Sequence, residues 1–239
     1  MMKKFNYLIK SGANLNTISS YLSYSITSHF DKKKRKNFIQ NYKNFLIKKK
    51  ITHDFFSRNV FDWMDVLQNY KTTEFEYLEI GSFEGNSAMF VLENFKNCFL
   101  TCVDSWEQLE LNSDSKEGYE HLPINNIEDN FDDNLKVYSE RYKKEKILSD
   151  LFFSKNNKFF DVVFIDGSHF AENVFKDCKN SWPILKKNGI LILDDYFWEG
   201  YEKPEQNPAF AINKFLKEIN EEYKIIKLTK FQLFLRKLS

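Results

Sequence analysis

The sequence predicts an α/β protein built on a Rossmann-like, doubly wound, mostly parallel sheet, and three observations predict it. From residue 75 onward, short apolar runs alternate with segments of helical periodicity. The runs are nearly continuous in apolar residues, the pattern of strands covered on both faces. The first of them passes directly into a turn holding Gly81 and Gly85 and then into a helical segment.

Each element follows from its own residues. Residues 1–50 lack strand alternation and carry apolar spacings such as Phe38, Tyr42, Phe45 and Leu46, so a helical extension over 1–52 is expected ahead of a domain over 53–239. A helix from about Asp54 to Tyr70 places Phe55, Val60, Trp63, Met64 and Leu67 near one spacing. Glu76–Ile80 reads as the first strand, and the helix after it runs through Ser87, Met89, Phe90 and Leu92. Phe99–Val103, Lys146–Leu148 and Asp161–Ile165 are the next three strands. A helix then aligns Phe170, Val174, Cys178, Trp182 and Leu185 on one stripe, with Gly189 expected as its C-terminal cap. Ile190–Leu193 is the fifth strand. After Pro208, a helix bearing Ala209, Ile212, Phe215 and Ile219 leads to strands Tyr223–Leu228 and Gln232–Leu235. Their three-residue link, Thr229 to Phe231, predicts a closing antiparallel hairpin.

Composition removes whole classes of function. With 42% hydrophobic and 17% aromatic residues, the 239-residue chain is neither disordered nor fibrous. Lys and Arg number 35 against 34 Asp and Glu, which leaves no bulk electrostatic case for nucleic acid. The basic runs Lys32–Lys36 and Lys48–Lys50, able in principle to touch phosphate or an anionic membrane, therefore read as solvated faces. Cys98, Cys102 and Cys178 lack paired spacing and fit reduced thiols of a cytoplasmic protein. No apolar stretch approaches the roughly 20 residues of a membrane span. Glycine is scarce, 7 against roughly 17 at average usage, so those present are expected to mark backbone positions with special geometry.

The polar residues gather at the carboxyl ends of the strands, where such sheets bind ligands. The loop Gly81-Ser82-Phe83-Glu84-Gly85 has GxxxG spacing, and Phe83 occupies the glycine through which a dinucleotide pyrophosphate approaches the backbone. A nucleoside ligand without a pyrophosphate suits it better. Asp104 ends the second strand, 25 residues past Glu79, where an acid accepts from ribose hydroxyls or caps a helix, a role Ser105 also fits. Asp166 ends the fourth strand, ahead of Gly167, Ser168 and His169, and Asp194-Asp195 end the fifth. Carboxylates beside buried strands are costly unless paired, capping or metal-bound, and neighbouring strands bring these three together. Oxygen ligands of this kind suit Mg²⁺.

The segments YLEIGSFEGNS, CVDSW, FDVVFIDGSH and SWPILKKNGILILDDY, in that order on those elements, resemble the class I S-adenosylmethionine-dependent methyltransferases. The similarity is to the small-molecule O-methyltransferase branch with catechol-type and macrolide-sugar enzymes, and it covers residues 54–239. The resemblance implies that Glu79, Gly81, Ser82, Gly85 and Ser87 surround the methionine end of the cofactor, with Ser87 on its carboxylate. It implies Asp104 for the ribose and Ser105 and Trp106 near the adenine. Asp166, Asp194 and Asp195 match the metal-binding acids, Asp166 also borders the cofactor, and His169 stands where catechol-type members carry the base. It implies methyl transfer from S-adenosylmethionine to a hydroxyl of a small acceptor, a sugar or polysaccharide building block above others, assisted by Mg²⁺. A homo-oligomer formed through the N-terminal helices is a further expectation. The alternative is a non-catalytic scaffold that keeps the fold for a partner. Tyr196 and Trp198 are candidates for a substrate wall or for packing, and the stretches 197–207 and 109–126 for lids.

Overall fold

Among the described residues, seven strands form one sheet in the order β3-β2-β1-β4-β5-β7-β6. The computed structural model describes residues 2–107 and 126–239. The strands are β1 (Phe75–Ile80), β2 (Cys98–Asp104), β3 (Tyr142–Lys146), β4 (Phe160–Ile165), β5 (Leu185–Leu193), β6 (Tyr223–Leu228) and β7 (Leu233–Lys237). Strands β1 to β5 pair in parallel; β7 pairs antiparallel with both β5 and β6. The chain winds outward from β1 to β3, then restarts at β4 beside β1. That reversal opens a crevice between the loops that follow β1 and β4.

Alternate side chains of each central strand enter different cores. Leu78, Ile80, Val163 and Ile165 face one core, packed by α8 (Ala171–Ile184) and α9 (Pro208–Glu218). Tyr77, Val162 and Phe164 face the other, packed by α4 (Val60–Val66), α5 (Asn86–Asn94) and α6 (Ile127–Leu135). Both faces are buried because every crossover connection lays a helix on the sheet. Helix α7 (Ser149–Lys155) follows β3 and buries Phe152.

The N-terminal residues form α1 (Met2–Lys10), α2 (Leu15–Phe30) and α3 (Lys32–Leu46). Tyr7, Leu8 and Tyr21 join the first core, and Tyr42 and Leu46 the second. Asn14 caps α2 by accepting from the Thr17 amide at 2.9 Å. On the far side, the Ser20 hydroxyl accepts from the Leu228 amide of edge strand β6. Among the described residues no helix is long and apolar enough to cross a membrane.

Three expectations change. The third strand is Tyr142–Lys146, while Ile147 and Leu148 lie in the loop after it. Its sequence YKKEK is polar because, among the described residues, β3 pairs with β2 alone and lies at the sheet edge, open to water. Gly189 does not cap the preceding helix: α8 ends at Ile184, after Pro183, and the left-handed residue is Asn188 (φ 63°). Gly189 lies within β5, where a side chain would meet the Asp161 carbonyl at 2.9 Å. The helix read over 54–70 is broken into a 3-10 turn at Ser57–Asn59, α4, and a second 3-10 turn at Gln68–Lys71.

Candidate active site

A cavity of about 850 Å³ opens at the carboxyl ends of β1, β2, β4 and β5, a volume suited to a cofactor and a small acceptor. Its cofactor-like side is built on β1 and β2. Gly81 has φ 85°, and a Cβ there would stand 2.2 Å from the Asp166 carbonyl oxygen. Only glycine allows the two loops at the crevice to touch. Gly85, also left-handed, faces away from the cavity, where a Cβ would strike Leu135 at 2.3 Å. Gly167 has space for a Cβ, so its loop does not demand glycine.

Asp104 fixes this half. One oxygen accepts from the amides of Ser82 and Phe83, both at 2.9 Å, and the other from the amide of Trp106 at 2.8 Å. A carboxylate offers about four acceptor positions, so one remains for a ligand hydroxyl. The indole of Trp106 donates to the Phe83 carbonyl at 2.8 Å and closes the loop onto the strand end. Phe83 and Trp106 both hold positive φ, 46° and 49°, and Asp195 across the cavity does so at 57°. Non-glycine residues in that region are strained and gather at functional sites. Glu79 is fully buried beneath the loop and does not line the cavity; Ser87 and Tyr77 donate to it at 3.0 and 3.3 Å. Burial pushes its carboxyl up to about 8, so it carries a proton at neutral pH.

The opposite side is acidic. Asp166, Asp194 and Asp195 all line the cavity floor. Burial, and then the charges of Asp194 and Asp195, hold the Asp166 carboxyl well above the usual range, and its side chain has no hydrogen-bond or ion-pair partner among the described residues. Burial and Asp195 push Asp194 up to about 7; it accepts from Gln232 at 3.0 Å and from the Asp195 amide at 2.7 Å. The Asp195 carboxylate meets His169 Nε2 at 2.7 Å, and the imidazole stacks on Trp198 with ring centroids 4.7 Å apart. A ring held by a carboxylate and an aromatic face has one orientation, as a general base requires.

Among the described residues, no group of three or more His, Cys, Asp or Glu side chains is arranged to hold a metal ion. The donor chemistry nevertheless fits a hard divalent cation: three carboxylates share one floor, and the half-buried Asp166 side chain has no hydrogen-bond partner among the described residues. Arg58, which lines the same cavity, partly offsets the charge of Asp166 and Asp194. Arg58 lies before the first strand, outside every motif, and nothing in the sequence singles it out. Ser149, Asp150 and Asp177 also line the cavity and were not among the expected site residues. Ser82, Ser87 and Ser105 line the cavity. Tyr196 is fully buried and donates to Asn213 at 2.8 Å, so it packs under the site while Trp198 forms its wall. Within the stretch 197–207, Trp198 and Tyr201 border the cavity; the stretch 109–126, save Asn126, lies outside the described residues.

Comparison with known proteins agrees with this geometry. Residues 78–196 match the family model described as a methyltransferase domain. Uncharacterized protein R132 of Acanthamoeba polyphaga mimivirus is 27% identical over 176 residues, which are 72% of this chain and 74% of that protein. An O-methyltransferase from Bacillus cereus, solved in complex with SAH, superposes on 93% of this chain and 100% of its own at 12% identity and TM-score 0.55. The MycE methyltransferase of the mycinamycin biosynthetic pathway, solved with Mg, SAH and mycinamycin VI, superposes on 78% of this chain at 13% identity and TM-score 0.55. The chain spans about half the length of MycE, 51% of it. At such identities the superpositions establish the fold. The family match supports a methyltransferase, and the superpositions supply its fold.

Proposed function

We propose that the protein transfers a methyl group from S-adenosylmethionine to a hydroxyl of a small molecule. The observation that carries this reading is that one cavity brings together the Asp104-pinned loop and the His169–Asp195 pair. Asp104 offers its remaining acceptor position to a ribose hydroxyl, and Ser82 and Ser87 border the cavity on the side taken by the amino-acid end. Ser105 and Trp106 border the adenine side. His169, held by Asp195, takes the acceptor proton as the oxygen attacks the methyl carbon; the new C–O bond forms as the C–S bond breaks, and the thioether product leaves. Asp166, Asp194 and Asp195 would hold a divalent cation, which when bound lowers the acceptor pKa as a Lewis acid. The catalytic assignments are His169 as base and Asp166 as the acid bordering both ligands. The acceptor class favoured is a sugar or polysaccharide building block, and MycE, solved with Mg, SAH and mycinamycin VI, supports a small-molecule acceptor and a cation.

The test is transfer of labelled methyl from S-adenosylmethionine to a panel of sugars and catechols, with the product bond identified by NMR. An O-methyl product made by the wild type and lost in His169→Ala supports the reading. An N-methyl or C-methyl product, or turnover unchanged in His169→Ala, overturns it.

A further inference from the structure

The even charge of the whole chain conceals a strong division. Residues 1–50 contain twelve Lys or Arg and one Asp, a net +11, whereas residues 51–239 contain 23 Lys or Arg and 33 Asp or Glu, a net −10. The basic share sits on the helices that the catalytic reading does not use.

Helix α2 is apolar on two sides. Tyr21 and Tyr24 are buried toward the protein. On the opposite side Leu15, Leu22, Ile26 and Phe30 lie within about 80° of one another at 100° per residue, and all four are exposed, Ile26 by 62% and Phe30 by 85%. This stripe runs some 22 Å along the helix at about 1.5 Å per residue. Directly beyond Phe30, the turn at Asp31 starts α3 with Lys32, Lys33 and Lys34, followed by Lys36. These four lysines are exposed and have no acid partner among the described residues, while Arg35 between them turns inward to a bidentate pair with Asp62 at 2.6 and 2.8 Å. The one cation of the run that is neutralised is the one that anchors the helix.

We infer that α2 and the start of α3 form a docking surface for an anionic phospholipid bilayer, with the apolar stripe entering the interface and the lysines on the headgroups. An exposed apolar face flanked by lysines is what an interfacial helix presents. Nucleic acid would satisfy the lysines and leave Ile26 and Phe30 in water. A symmetric dimer through the stripe would bury those side chains and set two +11 regions against each other. An anionic bilayer satisfies both features, and the acidic remainder of the molecule is repelled toward the aqueous side.

Cosedimentation with vesicles tests the surface directly. The wild type is expected to pellet with phosphatidylcholine vesicles containing phosphatidylserine, to remain soluble with phosphatidylcholine alone, and to be released at high salt; this arm needs no variant. Replacing Lys32, Lys33, Lys34 and Lys36 with Gln is expected to lower the partition coefficient on the order of a hundredfold or more. Ile26→Ser with Phe30→Ser is expected to lower it at least about tenfold, with an unchanged melting temperature because both side chains are exposed. Absence of pelleting, equal partition onto uncharged vesicles, or binding to single-stranded RNA in place of vesicles overturns the inference. So does a concentration-dependent dimer that Ile26→Ser and Phe30→Ser abolish while the wild type ignores vesicles.

Discussion

The two halves of the cavity handle their carboxylates in opposite ways. At the ends of β1 and β2, Asp104 is tied by three backbone amides and Glu79 is bonded by Ser87 and Tyr77 and held neutral. At the ends of β4 and β5, Asp166 has no partner among the described residues, Asp194 is pushed up to about 7, and Asp195 depends on His169. A pre-formed half binds a ligand without reorganisation, whereas an incompletely compensated half keeps unfavourable charge until a ligand supplies the missing partner. On the proposed reading, the cofactor takes the first half and the acceptor, with a cation, the second.

The largest expected break falls on the proton-transfer pair. His169→Ala should lower turnover by roughly 10²–10⁴, the range for removing a general base, with little change in cofactor affinity. Asp104→Ala attacks the other half: it frees two loop amides and the Trp106 amide at once and should weaken S-adenosylmethionine at least about a hundredfold by calorimetry. Gly81→Ala tests the contact between the halves. With a Cβ at 2.2 Å from a backbone oxygen and a left-handed φ, it should cost about 3 kcal/mol and lower the melting temperature by roughly 6–12 °C.

The smallest effect carries the opposite sign. Because the folded state raises the carboxyls of Asp166 and Asp194, it binds more protons than the unfolded chain, and stability falls as pH rises from about 4 toward 7 and above. Asp166→Asn removes that cost. In the absence of divalent cations it should raise the melting temperature by about 2–4 °C at pH 8, with the gain vanishing near pH 4, while activity is lost. Added Mg²⁺ should stabilise the wild type at pH 8 and leave Asp166→Asn unmoved; equal stabilisation of both would make the acidic floor structural.

Much of this was legible in the residues. The strand ends were readable because buried strands leave near-continuous apolar runs that stop abruptly at Asp104, Asp166 and Asp194. The edge strand Tyr142–Lys146 was not, since half-solvated strands carry no such run. Glycine scarcity marked Gly81 correctly, but the strain at the site also rests on Phe83 and Trp106, whose positive φ their residue types do not announce. Arg58 was hidden for a different reason: a lone arginine on an irregular segment gains meaning only when folding sets it before the acidic floor. The neutral total charge concealed the basic N-terminal helices, because a sum erases a division.

Assignment of the cofactor to the Asp104-pinned half is the central claim. Titration calorimetry of S-adenosylmethionine into the wild-type protein addresses it most directly. The prediction is saturable binding at one site per chain, competed by S-adenosylhomocysteine and retained in His169→Ala. No measurable heat with the wild type, together with no rise in its melting temperature at saturating ligand, would contradict it.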